Sequence, residues 1–194
     1  MTKMMFTKPF TQQEAIPEAG IERAVDILKT GRLHRYNLLP DEAGEAAALE
    51  MEYAEWQGAD YCVACTSGGY AIQLGLRVCG VKPGDKVLAN AYTLAPVPGA
   101  IHNVGGAPVL VDIDENYHID LDDLAAKATE SGAKYLLLSY MRGHIPDMEK
   151  LMSVCAEHDL CLVEDCAHTM GAKWRGIRSG NFGKVAAFST QTYK

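Results

Sequence analysis

The sequence predicts an α/β domain built on a mainly parallel sheet with helices on both faces. Three observations carry this prediction. Short apolar runs recur along the chain, stretches with helical spacing separate most of them, and Gly- or Pro-bearing turns stand between the two kinds. Strands that are apolar along their whole length suit a sheet covered on both faces, which is how parallel sheets are built. The 194 residues suit a single domain, 1–194, with a substantial core.

Taken in order, Ile21, Val25 and Leu28 recur at helical spacing, and Gly31 follows as a stop. A second helix is predicted from about Asp41 to Trp56, ending at Gly58. The strand-like runs are Tyr61–Cys65, Lys86–Asn90, Pro108–Ile113, Tyr135–Ser139, Leu160–Glu164 and Val185–Ser189. Helices are predicted over Gly69–Val78, Ala95–Asn103, Leu121–Thr129 and Asp147–His158. A sheet of this kind binds ligands beyond the carboxyl ends of its strands. The residues just after each strand are therefore the candidates for chemistry.

Composition excludes several classes of function. The net charge of −7 argues against a nucleic-acid partner, which would require clustered Lys and Arg. No apolar run approaches the length of a membrane span. Met1 to Gln13 carries no signal-peptide pattern, so a cytoplasmic protein is expected. Cys62 and Cys65 form a CxxC, but no second Cys or His pair stands at zinc spacing. With Cys79, Cys155, Cys161 and Cys166 they are read as free thiols, and no metal is expected.

Three strand ends bear chemistry. Thr66-Ser67-Gly68-Gly69 opens a helix, and its glycines and helix N-terminus either form a tight turn or hold one phosphate. Asp165 ends a buried apolar strand, where a carboxylate needs a partner. That partner is either a local cap or ion pair, or a protonated ring nitrogen. Glu164 should point to the opposite face, because strand side chains alternate. Ser189 begins a hydroxyl-rich loop that leads to Lys194, which is either a solvated surface charge or an activated amine. His102, His118 and His158 are read as structural or solvated, while His34 and His144 border the candidate region.

The order of five motifs resembles the DegT-type sugar aminotransferases, fold-type-I enzymes that use pyridoxal 5'-phosphate (PLP). The motifs are Ser67-Gly68-Gly69, Lys82 through Val87, Pro108 through Asp114, Glu164 through His168, and Phe188-Ser189 through Lys194. The resemblance covers nearly the whole chain from Gly31, and it implies that this is the large, PLP-binding domain. It implies that Gly68, Gly69 and Ser189 hold the phosphate, with Ser67 beside them in the cofactor site, and that Asp165 pairs with the pyridine nitrogen. It places His168 near the ring's phenolic oxygen and makes Lys194 the Schiff-base lysine; Lys194 and Asp165 are the catalytic pair. Three positions differ from the usual pattern: Gly69 replaces a threonine, Leu94 replaces an aromatic residue on the ring, and His168 replaces a glutamine. With Leu94 in that place, Tyr92 is a second candidate for the ring face.

The resemblance also implies a longer polypeptide, with a further strand and a small C-terminal domain after Lys194. The activity it implies is transfer of an amino group from glutamate or glutamine to a keto-sugar nucleotide or keto-cyclitol, by a homodimer. Two other readings stand beside it. A sugar dehydratase of the same family would replace the lysine with histidine, and Lys194 argues against that. A PLP-binding paralogue without turnover is the other. A nucleotide-binding module lacks the required glycine fingerprint.

Overall fold

A computed structural model describes residues 13, 15–36, 38 and 44–191. Its first elements are α1 (Glu18–Thr30), α2 (Glu45–Gln57) and α3 (Gly68–Val78). Strands and helices then alternate as β1 (Lys86–Asn90), α4 (Pro96–Asn103), β2 (Ala107–Val111), α5 (Leu121–Ser131), β3 (Tyr135–Ser139), α6 (Met148–Glu157) and β4 (Cys161–Asp165). The hairpin β5 (Lys173–Trp174) and β6 (Ile177–Arg178) and the strand β7 (Val185–Ala187) follow.

The main sheet runs β2-β1-β3-β4-β7, and every neighbouring pair is parallel. Side chains alternate across it. Val87, Ala89, Leu137, Val163 and Ala187 pack with Ile72 and Leu76 of α3 and with Val97 and Ile101 of α4. Leu88, Val111, Leu136, Leu138 and Leu162 pack with Leu124 of α5 and with Met148 and Leu151 of α6. Helices therefore cover both faces, as the apolar runs predict. Burial of each such side chain stabilises the fold by roughly 1.5–3 kcal/mol.

Most predicted elements agree with the structure to within a few residues. Asp165 belongs to its strand rather than following it, and lies in register with Ser139. Asp147 and Asp120 are N-caps, each accepting from backbone amides one turn ahead. Gly31 and Gly58 close α1 and α2 in the left-handed conformation, and these are the stops read from the sequence. The predicted start of the second helix at Asp41 lies outside the described residues.

One predicted strand is absent. Tyr61–Cys65 has no ladder partner among the described residues, and Tyr61 is 90% exposed. It is held by side chains instead. The Ala64 amide donates to Glu50 Oε1, and its carbonyl accepts from Arg35. Its composition suits a strand, but a strand exists only where an adjacent edge supplies hydrogen bonds.

Glu164 is fully buried on the face away from Asp165. Its carboxylate accepts from Tyr140 Oη at 2.6 Å, Gly180 N at 2.8 Å, Phe182 N at 2.9 Å and Gly183 N at 2.6 Å. Four donors offset the desolvation of this carboxylate and tie the loop after the hairpin to β4. Burial and the neighbouring Glu164 charge push the Tyr140 phenol far above its ordinary range, so it acts here as a donor. The six cysteines are free. Burial pushes the Cys155 thiol up to about 11 and Cys79 up to about 12, so both stay protonated near neutrality.

Candidate active site

The chain leaves β1 outward to β2 and returns across it to β3, so the strand order reverses between β1 and β3. That is where open α/β sheets place ligands. Asn90 ends β1 and is buried there. Its Nδ2 donates to the Ser139 carbonyl at 3.1 Å, and its Oδ1 accepts from the Ser139 amide at 2.9 Å. Ser139 Oγ in turn donates to Asp165 Oδ2 at 2.9 Å, while Ala167 N donates to Oδ1 at 3.2 Å. Asp165 is 7% exposed and therefore fixed in one orientation by groups on two strands and a loop.

An open cleft lies over these strand ends. Gly68 and Gly69, Leu94, Ser139, Asp165, His168 and Ser189 all line it. Six residues singled out in the sequence thus converge on one cavity, from segments as far apart in the chain as Gly68 and Ser189.

At one end, α3 points its N-terminus into the cleft. Ser67 caps it, its Oγ accepting from Tyr70 N at 3.2 Å. Ser67 Oγ therefore serves the helix, and Ser67 is not among the residues that line the cleft. Because the cap engages Tyr70 N, the Gly68 and Gly69 amides keep no acceptor among the described residues. A Cβ placed on Gly68 would lie 3.9 Å from Ser189 Cβ. Two orphan amides, a helix dipole and the neighbouring Ser189 can hold one phosphate-sized anion.

At the other end, Arg142 N donates to His168 Nδ1 at 3.3 Å. Nδ1 accepts, so the proton of the neutral ring sits on Nε2. Leu94 supplies an apolar face. Tyr92, the second candidate for that face, does not line the cleft; its ring lies 5.1 Å from Tyr117 and 6.4 Å from His144. Lys194 lies outside the described residues. No group of three or more His, Cys, Asp or Glu side chains suited to a metal occurs among the described residues. No described helix is long and apolar enough to cross a membrane.

Sequence reasoning missed Ser139 and Asn90. A serine closing an apolar strand looks like a strand stop, and its partnership with Asp165 follows only from the register of β3 on β4. It also missed the Arg142 contact that sets the His168 tautomer.

The model of the DegT/DnrJ/EryC1/StrS aminotransferase family matches residues 16–194. The dTDP-3-amino-3,4,6-trideoxy-alpha-D-glucose transaminase of Streptomyces venezuelae is 36% identical over 181 residues, 93% of this chain and 45% of that protein. The L-glutamine:2-deoxy-scyllo-inosose aminotransferase of Streptomyces lividus is 29% identical over 180 residues, 92% of this chain and 42% of that protein. A protein of Streptococcus pneumoniae assigned as a sugar aminotransferase, solved in its PLP form, superposes with a TM-score of 0.81 at 27% identity. That match covers 97% of this chain and 50% of the other. The chain thus spans about half, or less, of the length of the proteins it matches.

Proposed function

The chain belongs to the DegT/DnrJ/EryC1/StrS aminotransferase family, and on that premise we propose that it is the cofactor-binding part of a PLP-dependent aminotransferase. The observation that carries this reading is the pairing of an anion cradle with a fixed carboxylate across one cleft. PLP needs both, one for its phosphate and one for its ring nitrogen, and the residues present fit it. When bound, PLP supplies an electron sink for charge that develops on the amino-bearing carbon.

The roles of this chain's residues follow from their positions. The Gly68 and Gly69 amides and Ser189 Oγ bind the phosphate. The Asp165 carboxylate, held by Ser139 and Ala167, keeps a proton on the ring nitrogen. Leu94 covers the ring face and excludes water. His168 donates from Nε2 to the ring's phenolic oxygen. Lys194 Nζ attaches the cofactor and then carries a proton at the reacting carbon, a dual task suited to an amine that is a nucleophile when neutral and an acid when charged.

Gly69 provides a test of the cradle. A Cβ there would meet Pro96 Cβ at 3.8 Å, an ordinary contact. Gly69→Thr should therefore fit and add one hydroxyl to the phosphate site. PLP should bind the full-length apoprotein roughly three- to tenfold more tightly, the worth of one hydrogen bond. An unchanged or weaker dissociation constant would place the phosphate elsewhere.

The amino donor is glutamate or glutamine, and the acceptor is a keto-sugar nucleotide or keto-cyclitol, by analogy with the relatives' activities. The enzyme is a cytoplasmic homodimer. Support for a partner comes from Ile21, Val25 and Leu28, which form an apolar row on α1 with no buried member. A further strand and a small domain complete the protein. Support comes from the outer edge of β7, which is unpaired among the described residues. The function is tested in the full-length protein loaded with PLP, given glutamine or glutamate and no acceptor. The cofactor spectrum should convert to that of the amine form. Loaded protein whose spectrum neither donor changes would refute transamination.

A further inference from the structure

Four aromatic rings stand together beside the cleft, outside the roles assigned above. Tyr92, Tyr117 and His144 make a mutual cluster, with ring centroids 5.1 Å, 5.7 Å and 6.4 Å apart, and His118 lies 5.8 Å from His144. They come from three segments at the carboxyl edge of the sheet. Tyr92 follows β1, Tyr117 and His118 lie in the turn between β2 and α5, and His144 follows β3.

Two members of this cluster are chain neighbours of cleft residues. Tyr92 is two residues before Leu94, and its carbonyl accepts from buried Asn90 at 2.9 Å. His144 is three residues after Met141, another cleft residue, and the intervening Arg142 amide donates to His168. The turn that carries Tyr117 is tightly made. Asp114 Oδ1 accepts from the amides of Asn116 and His118, and Tyr117 N donates to the Asp114 carbonyl. Within it Tyr117 has φ +65, a conformation disfavoured for a side chain of this size, yet the residue is 54% exposed. A core aromatic would bury its side chain in return for that strain, whereas this residue stays exposed against Tyr92 and His144.

We infer that Tyr92, Tyr117 and His144 form the wall against which the hydroxylated six-membered ring of the amino acceptor stacks. This rests on the aminotransferase reading and adds a binding surface to it. The aromatic faces receive the C–H face of such a ring. Asp114 lies 3.5 Å from His118, and Asp112 and Asp120 flank the same turn, so an anion is disfavoured there. The wall therefore takes the uncharged ring, not the diphosphate of a sugar nucleotide.

The test uses full-length, PLP-loaded enzyme as wild type, Tyr117→Ala and Tyr117→Phe. The acceptor probes are 2-deoxy-scyllo-inosose and the 3-keto precursor of dTDP-3-amino-3,4,6-trideoxy-α-D-glucose. With whichever ring wild type aminates, Tyr117→Ala should raise the acceptor KM roughly tenfold, while Tyr117→Phe, which keeps the ring, should stay close to wild type. The donor half-reaction should change by less than about twofold in both variants. An unchanged acceptor KM in Tyr117→Ala, or an equal loss in both half-reactions, overturns the wall. So does a wild type that reacts with the donor but aminates neither probe, and in that case the aminotransferase reading stands. Failure of the donor half-reaction in wild type removes that reading itself.

Discussion

Asp165→Asn should slow the donor half-reaction of the full-length enzyme on the order of a thousandfold or more, while leaving the protein folded. The side chain keeps its shape, and its local bonds survive. Ser139 Oγ now donates to Asp165 Oδ2, and a hydroxyl can equally accept from an amide NH₂. Ala167 N still finds an oxygen. What is lost is negative charge against the ring nitrogen, and with it the preference for the protonated, electron-withdrawing ring. The measurement is single-turnover decay of the cofactor spectrum with glutamine, alongside thermal unfolding. A near-normal rate would show that another group faces the ring nitrogen. A rate loss accompanied by a collapsed melting transition would indicate that Asp165 is structural.

Lys194→Ala should remove turnover by a larger factor, on the order of 10⁴ or more, because one amine performs two tasks. The variant loses the nucleophile that attaches the cofactor and the group that carries the proton. PLP should still bind, since the Gly68-Gly69 cradle, Ser189 and Asp165 remain. Steady-state rates together with equilibrium PLP binding test this. Retained turnover would refute the role of Lys194, whereas lost PLP binding alone would show that the lysine bond supplies most of the cofactor's affinity.

The sheet was legible in the sequence because its strands are buried on both faces. Runs such as Leu136-Leu137-Leu138 leave no polar side to confuse the reading. Tyr61–Cys65 shows the limit of that logic, since composition reports strand propensity but not the presence of a partner edge. The β5–β6 hairpin was missed although its signal is there. Arg175 and Gly176 both take positive φ (47° and 88°), the two-residue turn that twisted hairpins favour, but two-residue strands leave no periodicity to read. In the site, Gly68, Gly69, Leu94, Asp165, His168 and Ser189 were legible because each stands beside a strand end or opens a helix. Ser139 and Asn90 were not, and neither was the contact of Tyr92 and His144 with Tyr117. Their partnerships join segments that only the strand order brings together. At Ser67 the sequence leaves two uses open, because an N-cap and a phosphate ligand call for the same residue type at the same place, and the structure shows the cap.

The central claim is that this cleft holds PLP and that Lys194 is the residue joined to it. The most direct measurement is borohydride reduction of the full-length, PLP-loaded protein, followed by digestion and mass mapping of the modified peptide. The account predicts a single phosphopyridoxyl label on Lys194, formed in wild type and absent from Lys194→Ala. A label confined to another lysine, or none in protein saturated with PLP, would contradict it.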